Sequence, residues 1–409
     1  MFPRWTRNKK ILLGVTGGIA AYKTPELVRA WIKSGCEVEV ILTDMGARLV
    51  SPMALSTLSK RRAWRDEDLR SDERGWRIPH ITLSDWADVL VVAPCTANVL
   101  RMAASGDSGT LLGAAMLACK SPIVFFPAMN SHMWANPATQ ENVRVLLERG
   151  HSVIDPDSGP LACGYEGCGR LPSTEVILDE TWRALRENRD FSGKKVLITA
   201  GPTHEYIDPV RFISNPSSGK MGYAIAAEAR YRGAEVVLIS GPTAERPPSG
   251  VRVTGALSAL DMSGACMAEL PDSDVIIKAA AIGDYRIKEY ADKKIKRGTS
   301  SSMTLALEQN PDIAAEIGRR KRPDQILVGF AAETDNLEEN AIRKIKDKNL
   351  DLIAANDVSK SDSGFASDNN SIEIYFAERH GRGMKSASGS KWEVASALLD
   401  EVASMLPAK

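Results

Sequence analysis

Twice in this chain a short, wholly apolar run ends at a glycine turn and is followed by a small-residue helical pattern, and this repetition limits the folds open to it. Lys194 to Gly222 reads KKVLITAGPTHEYIDPVRFISNPSSGKMG: the apolar run Val196–Thr199 opens into a Gly/Pro turn, and Ser217–Gly222 leads into an alanine-rich helical stretch. Lys9 to Lys23, KKILLGVTGGIAAYK, has the same grammar. A strand that delivers the chain to a glycine turn and a helix start exposes backbone N–H groups to an anion. The chain therefore begins a nucleotide-binding fold twice.

At 409 residues the chain exceeds one ordinary core. We expect α/β architecture, two Rossmann-like domains with mainly parallel sheets, spanning residues 1–190 and 191–409. The polar segment Glu180–Gly193 precedes the second start. Lys plus Arg and Asp plus Glu number 52 each, so no global charge points to nucleic acid or an anionic membrane. Six scattered cysteines, a basic N-terminus without an apolar core, and no apolar run near the roughly 18 residues of a span predict a reduced, cytoplasmic protein.

In the first half, strands are expected at Ile11–Gly14, Glu37–Thr43, Val89–Ala93 and Ile123–Phe126, with a helix over about 20–34. Trp64–Trp76 reads as an exposed charged loop or short helix. Parallel sheets place ligands beyond the carboxyl ends of their strands, where this chain has Pro94–Asn98 and Pro127–Gln140 (PAMNSHMWANPATQ). In the latter, Asn130 or Ser131 can cap a helix, with Met129, Met133 and Trp134 as core. Ser158–Arg170, SGPLACGYEGCGR, holds four glycines and two cysteines and reads as a mobile loop. The Cys163–Cys168 spacing does not match a zinc pair, and no metal ligands are assigned.

Those segments, with HITLSDWAD around His80, resemble the flavin-containing cysteine decarboxylases, specifically 4′-phosphopantothenoylcysteine decarboxylase of coenzyme A biosynthesis, over about Lys9–Leu178. The resemblance implies FMN bound near Gly17, Gly18, Thr43, Thr96, Ala97 and Asn98. It makes His80 the catalytic histidine, Asn130 the donor to the substrate carboxylate, and Cys163 the proton donor on a flap that closes over the substrate. Flavin oxidation of the thiol carbon would give the decarboxylation electrons somewhere to go. Family members commonly carry paired aspartates where this chain has Gly109-Thr110.

The second half repeats the alternation, with strands at Val196–Thr199, Glu235–Ser240, Val275–Ala281, Gln325–Phe330 and Leu350–Ala354, and helices over 223–232 and 334–348. Ser214–Gly222 lacks the G-x-x-x-x-G-K-[ST] phosphate loop, because Met221 follows Lys220, and neither half has the G-x-G-x-x-G of a nicotinamide dinucleotide enzyme. Lys293–Arg297 (KKIKR) suits either a phosphate clamp or a solvated loop.

AGPTHEYIDPVRFISNPSSGKMG, AIGDYR, KKIKR, Asn310–Ile313, GFAAET and NLDLIAANDV resemble 4′-phosphopantothenate–cysteine ligase, and the order of the halves is similar to the bifunctional bacterial enzymes that perform both steps. The resemblance implies CTP as co-substrate with Mg²⁺, an acyl-cytidylate attacked by the amine of cysteine, and a homo-oligomer through both domains. On it, Asn215 holds the acyl-cytidylate and Lys294 offsets charge as pyrophosphate leaves. Arg211 meets the substrate phosphate. Ala279, Ala280, Asp284, Pro311, Asp312, Ile313, Phe330, Lys344 and Lys348 line the nucleotide site. From the residues alone, Lys344 and Lys348 equally suit a solvated helix face. A non-catalytic flavoprotein role is the rival, and Cys163, His80 and Asn130 together argue against it.

Overall fold

The computed structural model describes residues 3–70, 78–161, 164, 166–296, 303–333, 336–357 and 367–407. The chain divides into two compact units, Met1–Glu187 and Asn188–Lys409. No helix among the described residues is long and apolar enough to cross a membrane.

In the first unit, β1 (Lys10–Val15), β2 (Glu37–Leu42), β3 (Trp64–Arg65), β4 (Val89–Cys95), β5 (Ile123–Pro127) and β6 (Ser152–Val153) form one sheet in the order β3-β2-β1-β4-β5-β6. All pairings are parallel, with Leu13 opposite Val40 on one side and Val91 on the other. Helices on both faces explain why β4 is buried throughout and reads as a continuous apolar run. The order reverses between β1 and β4, which leaves a crevice beyond their carboxyl ends.

Three local expectations change. The helix after β1 begins as a 3₁₀ turn, Ile19–Lys23, before Thr24–Lys33, because Pro25 fits the first turn of an α-helix and not its interior. Of Trp64–Trp76, Trp64 and Arg65 extend the sheet edge, the Trp64 indole donating to Glu39 at 2.9 Å, Asp66–Arg70 forms the short helix, and residues 71–76 lie outside the described residues. Within Ser158–Arg170, β7 (Asp157–Pro160) and β8 (Glu166–Arg170) pair antiparallel, while 162, 163 and 165 lie outside the described residues. Gly159, Gly167 and Gly169 serve close approach there, whereas Gly164 stands in open space. A Cβ on Gly169 would lie 2.1 Å from the Met129 carbonyl oxygen.

The second unit has an eight-stranded sheet, formed by β9 (Lys195–Ala200), β12 (Glu235–Ser240), β13 (Arg252–Gly255), β14 (Val275–Lys278), β17 (Ile326–Glu333), β18 (Leu352–Asp357), β19 (Asn369–Phe376) and β20 (Lys385–Ser390). The order is β13-β12-β9-β14-β17-β18-β19-β20, parallel as far as β18 and antiparallel beyond. Hairpins β10–β11 (His204–Tyr206, Phe212–Ser214) and β15–β16 (Tyr285–Ile287, Leu307–Gln309) stand apart from it. Strand alternation divides the core in two. Val196, Ile198, Val236, Leu238, Val275 and Ile277 face one layer, and Leu197, Val237, Ile239, Ile276, Leu327 and Ile353 the other. The strand order reverses between β9 and β14, so this unit also has a crevice at its switch point.

Candidate active sites

At the first crevice, the Thr16 hydroxyl donates to the Pro94 carbonyl at 2.7 Å and accepts from the Thr96 amide at 3.2 Å, clamping the turn after β1 to the turn after β4. Beside this clamp is a cavity of about 600 Å³ that brings together Gly17, Gly18, Thr96, Ala97 and Asn130. Small residues and backbone form one edge, and Ile19, Met129, Met133, Leu161 and Leu171 supply apolar surface. The crowding is real at Gly17, where a Cβ would meet that of Met45 at 2.5 Å.

Asn130 caps the short helix Ser131–Ala135 by accepting from the His132 amide at 2.9 Å. The Met129 amide donates to the Gly169 carbonyl at 3.0 Å, so hairpin β7–β8 holds the loop that carries Asn130. Met129 and Trp134 pack on the core as expected, whereas Met133 is half exposed and turns to the cavity instead.

Thr43, Asn98 and His80 do not line this cavity. Thr43 caps the helix Asp44–Leu49 by accepting from the Gly46 amide at 3.1 Å, and the Asn98 amide donates to the Met102 sulfur at 3.6 Å. His80 sits in the first turn of the helix Pro79–Trp86, its Nδ1 buried and without a hydrogen-bond partner. Cys163 lies outside the described residues. The five other cysteines are free, and burial pushes the Cys36 thiol up to about 11. Where paired aspartates were absent, Thr110 caps the helix Leu111–Ala118 through the Gly113 amide at 3.1 Å.

In the second unit a cavity of about 240 Å³ lies at the end of β14, against the middle of β17 and the start of β18. It brings together Ala280, Asp284, Pro311, Asp312, Ile313, Phe330, Lys344 and Lys348. Its rim is stapled: the Asn310 amide donates to the Asp284 carbonyl and the Asn310 side chain to the Gly283 carbonyl, both at 2.8 Å. Asp312 caps the helix Ile313–Arg320 and pairs with Lys348 at 3.0 Å. Burial pushes the Asp312 carboxyl up, but the Ala315 amide and the Lys348 ammonium outweigh it and hold it below the usual range.

Asn215, Arg211, Lys294 and Ala279 do not line this cavity. The Asn215 side-chain amide donates to the Ala281 and Ile282 carbonyls at 3.3 and 3.1 Å, next to the cavity residues Ala280 and Ile282. Arg211 and the KKIKR segment share one anchor. Buried Asp208 accepts from the Val210, Arg211 and Ile295 amides at 2.8, 2.9 and 3.1 Å, while Arg211 donates to the Ile295 carbonyl at 2.9 Å. Thr16 and Asp208 escaped the sequence reading, since each is one polar residue inside a turn with no distinguishing spacing. Among the described residues no three His, Cys, Asp or Glu converge on a metal-sized point.

Comparison with known proteins identifies the frame. A flavoprotein family model matches residues 3–186, and the model of the DNA/pantothenate metabolism flavoprotein C-terminal domain matches residues 191–406. The chain is 42% identical over 401 residues to the coenzyme A biosynthesis bifunctional protein CoaBC of Bacillus subtilis (strain 168), covering 97% of each chain. The chain belongs to the CoaBC family. It is a bifunctional enzyme of coenzyme A biosynthesis, with a flavoprotein decarboxylase domain followed by a ligase domain. The CoaBC protein of Escherichia coli (strain K12) is 42% identical over 373 residues, covering 91% of each chain. A crystal structure of a CoaBC C-terminal domain is 41% identical, covering 53% of this chain and 98% of that one at a TM-score of 0.45.

Proposed function

We propose that the second unit joins 4′-phosphopantothenate to cysteine at the expense of CTP, and that the first unit, with FMN in its cavity, decarboxylates the product to 4′-phosphopantetheine. The observation that carries this reading is the position of the two cavities. The first lies at the switch point of its sheet and the second at the end of β14 against β17 and β18, and each gathers residues that the resemblance names for one reaction.

The first cavity suits FMN in chemistry as well as size. The small-residue edge at Gly17, Gly18, Thr96 and Ala97 leaves backbone open to a phosphate, and the apolar side is fit for a flat ring system. FMN, when bound, supplies the transient oxidation that makes the carboxyl a leaving group. Asn130 gives the substrate carboxylate an uncharged donor, which does not oppose the loss of negative charge as CO₂ departs. His80 handles a proton at the thiol or carboxylate, and Cys163 returns the last proton once the flap excludes water.

In the ligase unit Asn215 holds the acyl-nucleotide while Lys294, carried on the strap anchored by Asp208, offsets charge on the departing pyrophosphate. Mg²⁺ is assigned to the nucleotide phosphates, where this cation usually binds with few protein ligands. We also assign a homo-oligomeric assembly. It is supported by exposed apolar residues at the cavity, Ile19 and Tyr22, and by the position of His80 outside the cavity, which leaves a second copy to complete it.

The test is to give the purified chain 4′-phosphopantothenate, cysteine, Mg²⁺ and either CTP or ATP. The expected outcome is pyrophosphate, CO₂ and phosphopantetheine with CTP. Equal use of ATP would remove the base preference, and pyrophosphate without CO₂ would remove the FMN step.

A further inference from the structure

One charged residue in the ligase cavity has no place in the chemistry above. Lys278 ends β14, two residues after Ile276, and so faces the same apolar layer, among Met262, Cys266 and Ile313. Its exposure is 7%, and it lines the cavity with Ala280, Gly329 and Phe330. An ammonium carries three donors, yet the hydrogen bond Lys278 makes runs to the Cys266 sulfur at 3.7 Å, a weak acceptor. Burial pulls its pKa down, a sign that the site is poor in compensation. Asp312, the acid on that side, is committed to Lys348 and to the Ala315 amide. An apolar residue at this position would avoid the penalty of burying an under-satisfied charge, so the lysine is accounted for if a ligand oxygen completes its shell.

The ligand's orientation decides which oxygen. Asn215 and Lys294, the groups for the acyl-phosphate chemistry, lie outside the cavity lining, which leaves the half-open slot beside Phe330 for the flat end of the nucleotide. Resting on the reading of this cavity as the CTP site, we infer that Lys278 is a specificity-determining residue whose ammonium donates to the carbonyl oxygen of the pyrimidine base. Cytosine has one such oxygen, O2. Adenine has none: its amino group donates, and its acceptors are ring nitrogens of a larger bicyclic base, placed differently from O2. A site built to hydrogen-bond one group discriminates strongly against a base that lacks it, because the buried donor is then left unpaired.

The test measures pyrophosphate release by the full-length chain with CTP, 2-thio-CTP and ATP, in wild type and in Lys278→Met. Wild type should use 2-thio-CTP about tenfold or more less efficiently than CTP, the loss expected when a charged hydrogen bond is weakened. Lys278→Met should lose a similar factor with CTP, show no further penalty for the sulfur analogue, and use ATP better than wild type does, because no buried donor is then left unpaired. Cys266→Ala should keep the CTP preference. Equal losses with CTP and ATP would overturn the assignment in favour of a phosphate or packing role. Wild type treating CTP and 2-thio-CTP alike would overturn it without any variant. No pyrophosphate from wild type with any nucleotide would instead overturn the reading of the cavity itself.

Discussion

Gly169→Ala tests whether hairpin β7–β8 governs the decarboxylase centre. A Cβ there would stand 2.1 Å from the Met129 carbonyl oxygen, and contacts under 3.0 Å essentially never occur, so the hairpin and the 129–131 loop must separate by about 1 Å. The Met129–Gly169 hydrogen bond, now 3.0 Å, then stretches beyond bonding range. Its loss costs about 1 kcal/mol, which lowers the melting temperature of a unit of this size by roughly 2–4 °C. The catalytic effect should be larger. Asn130 follows Met129 directly, and a displacement of ~1 Å at a substrate-orienting group costs on the order of 100-fold in rate. The assay is CO₂ release from 4′-phosphopantothenoylcysteine, with pyrophosphate release from the ligase unit as internal control. Decarboxylation within about threefold of wild type, at an unchanged ligation rate, would refute the coupling of hairpin to site.

Three further outcomes are expected. Asn215→Ala and Lys294→Gln should each lower pyrophosphate-coupled ligation by roughly 100-fold while leaving decarboxylation of supplied substrate intact, as single donors to developing charge typically do. Cys163→Ser should keep ligation and stop the flavin half at the oxidised aminoenethiol, and full turnover by that variant would remove Cys163 from the flap role. In acid, the ligase unit should lose stability through Asp312 and Asp351. Burial pushes the Asp351 carboxyl up, but Lys321, Arg379 and the Leu327 amide outweigh it and hold it low. A carboxyl with a folded pKa below its unfolded value of about 3.9 stabilises fully above that value and loses the contribution as pH falls through the folded one. Melting temperature should therefore be level from about pH 7 to pH 5 and drop below about pH 4, with a shallower drop in Asp351→Asn.

The parallel strands were legible because burial on both faces leaves continuous apolar runs such as VLVVA and EVVLIS, which a sequence shows directly. The elements that were missed lack that signature. The β15–β16 hairpin is short and polar, and β19 alternates exposed and buried residues in NNSIEIYF without a flanking turn signal. The helix Ala259–Glu269 announces itself only by the capping box of Ser258 and Asp261. At the sites, part of each motif set lines a cavity, but the clamps between loops did not show, since Thr16 and Asp208 act through partners about 80 residues away. Lys278 was hidden for the opposite reason, as one lysine at the end of a run that otherwise reads as plain strand.

The antiparallel end of the ligase sheet carries a consequence for how the protein behaves when crowded. β18 would offer its open side to any neighbouring chain were it the last strand, but β19 and then β20 cover it. The outermost segment, KSASGS, has one small apolar side chain, and Lys385 on it is held by Glu401 at 2.8 Å. Such a border is a poor template for strand addition. Replacing its exposed serines, Ser386 and Ser388, with valine or isoleucine would leave both reactions alone and still make the enzyme prone to clump.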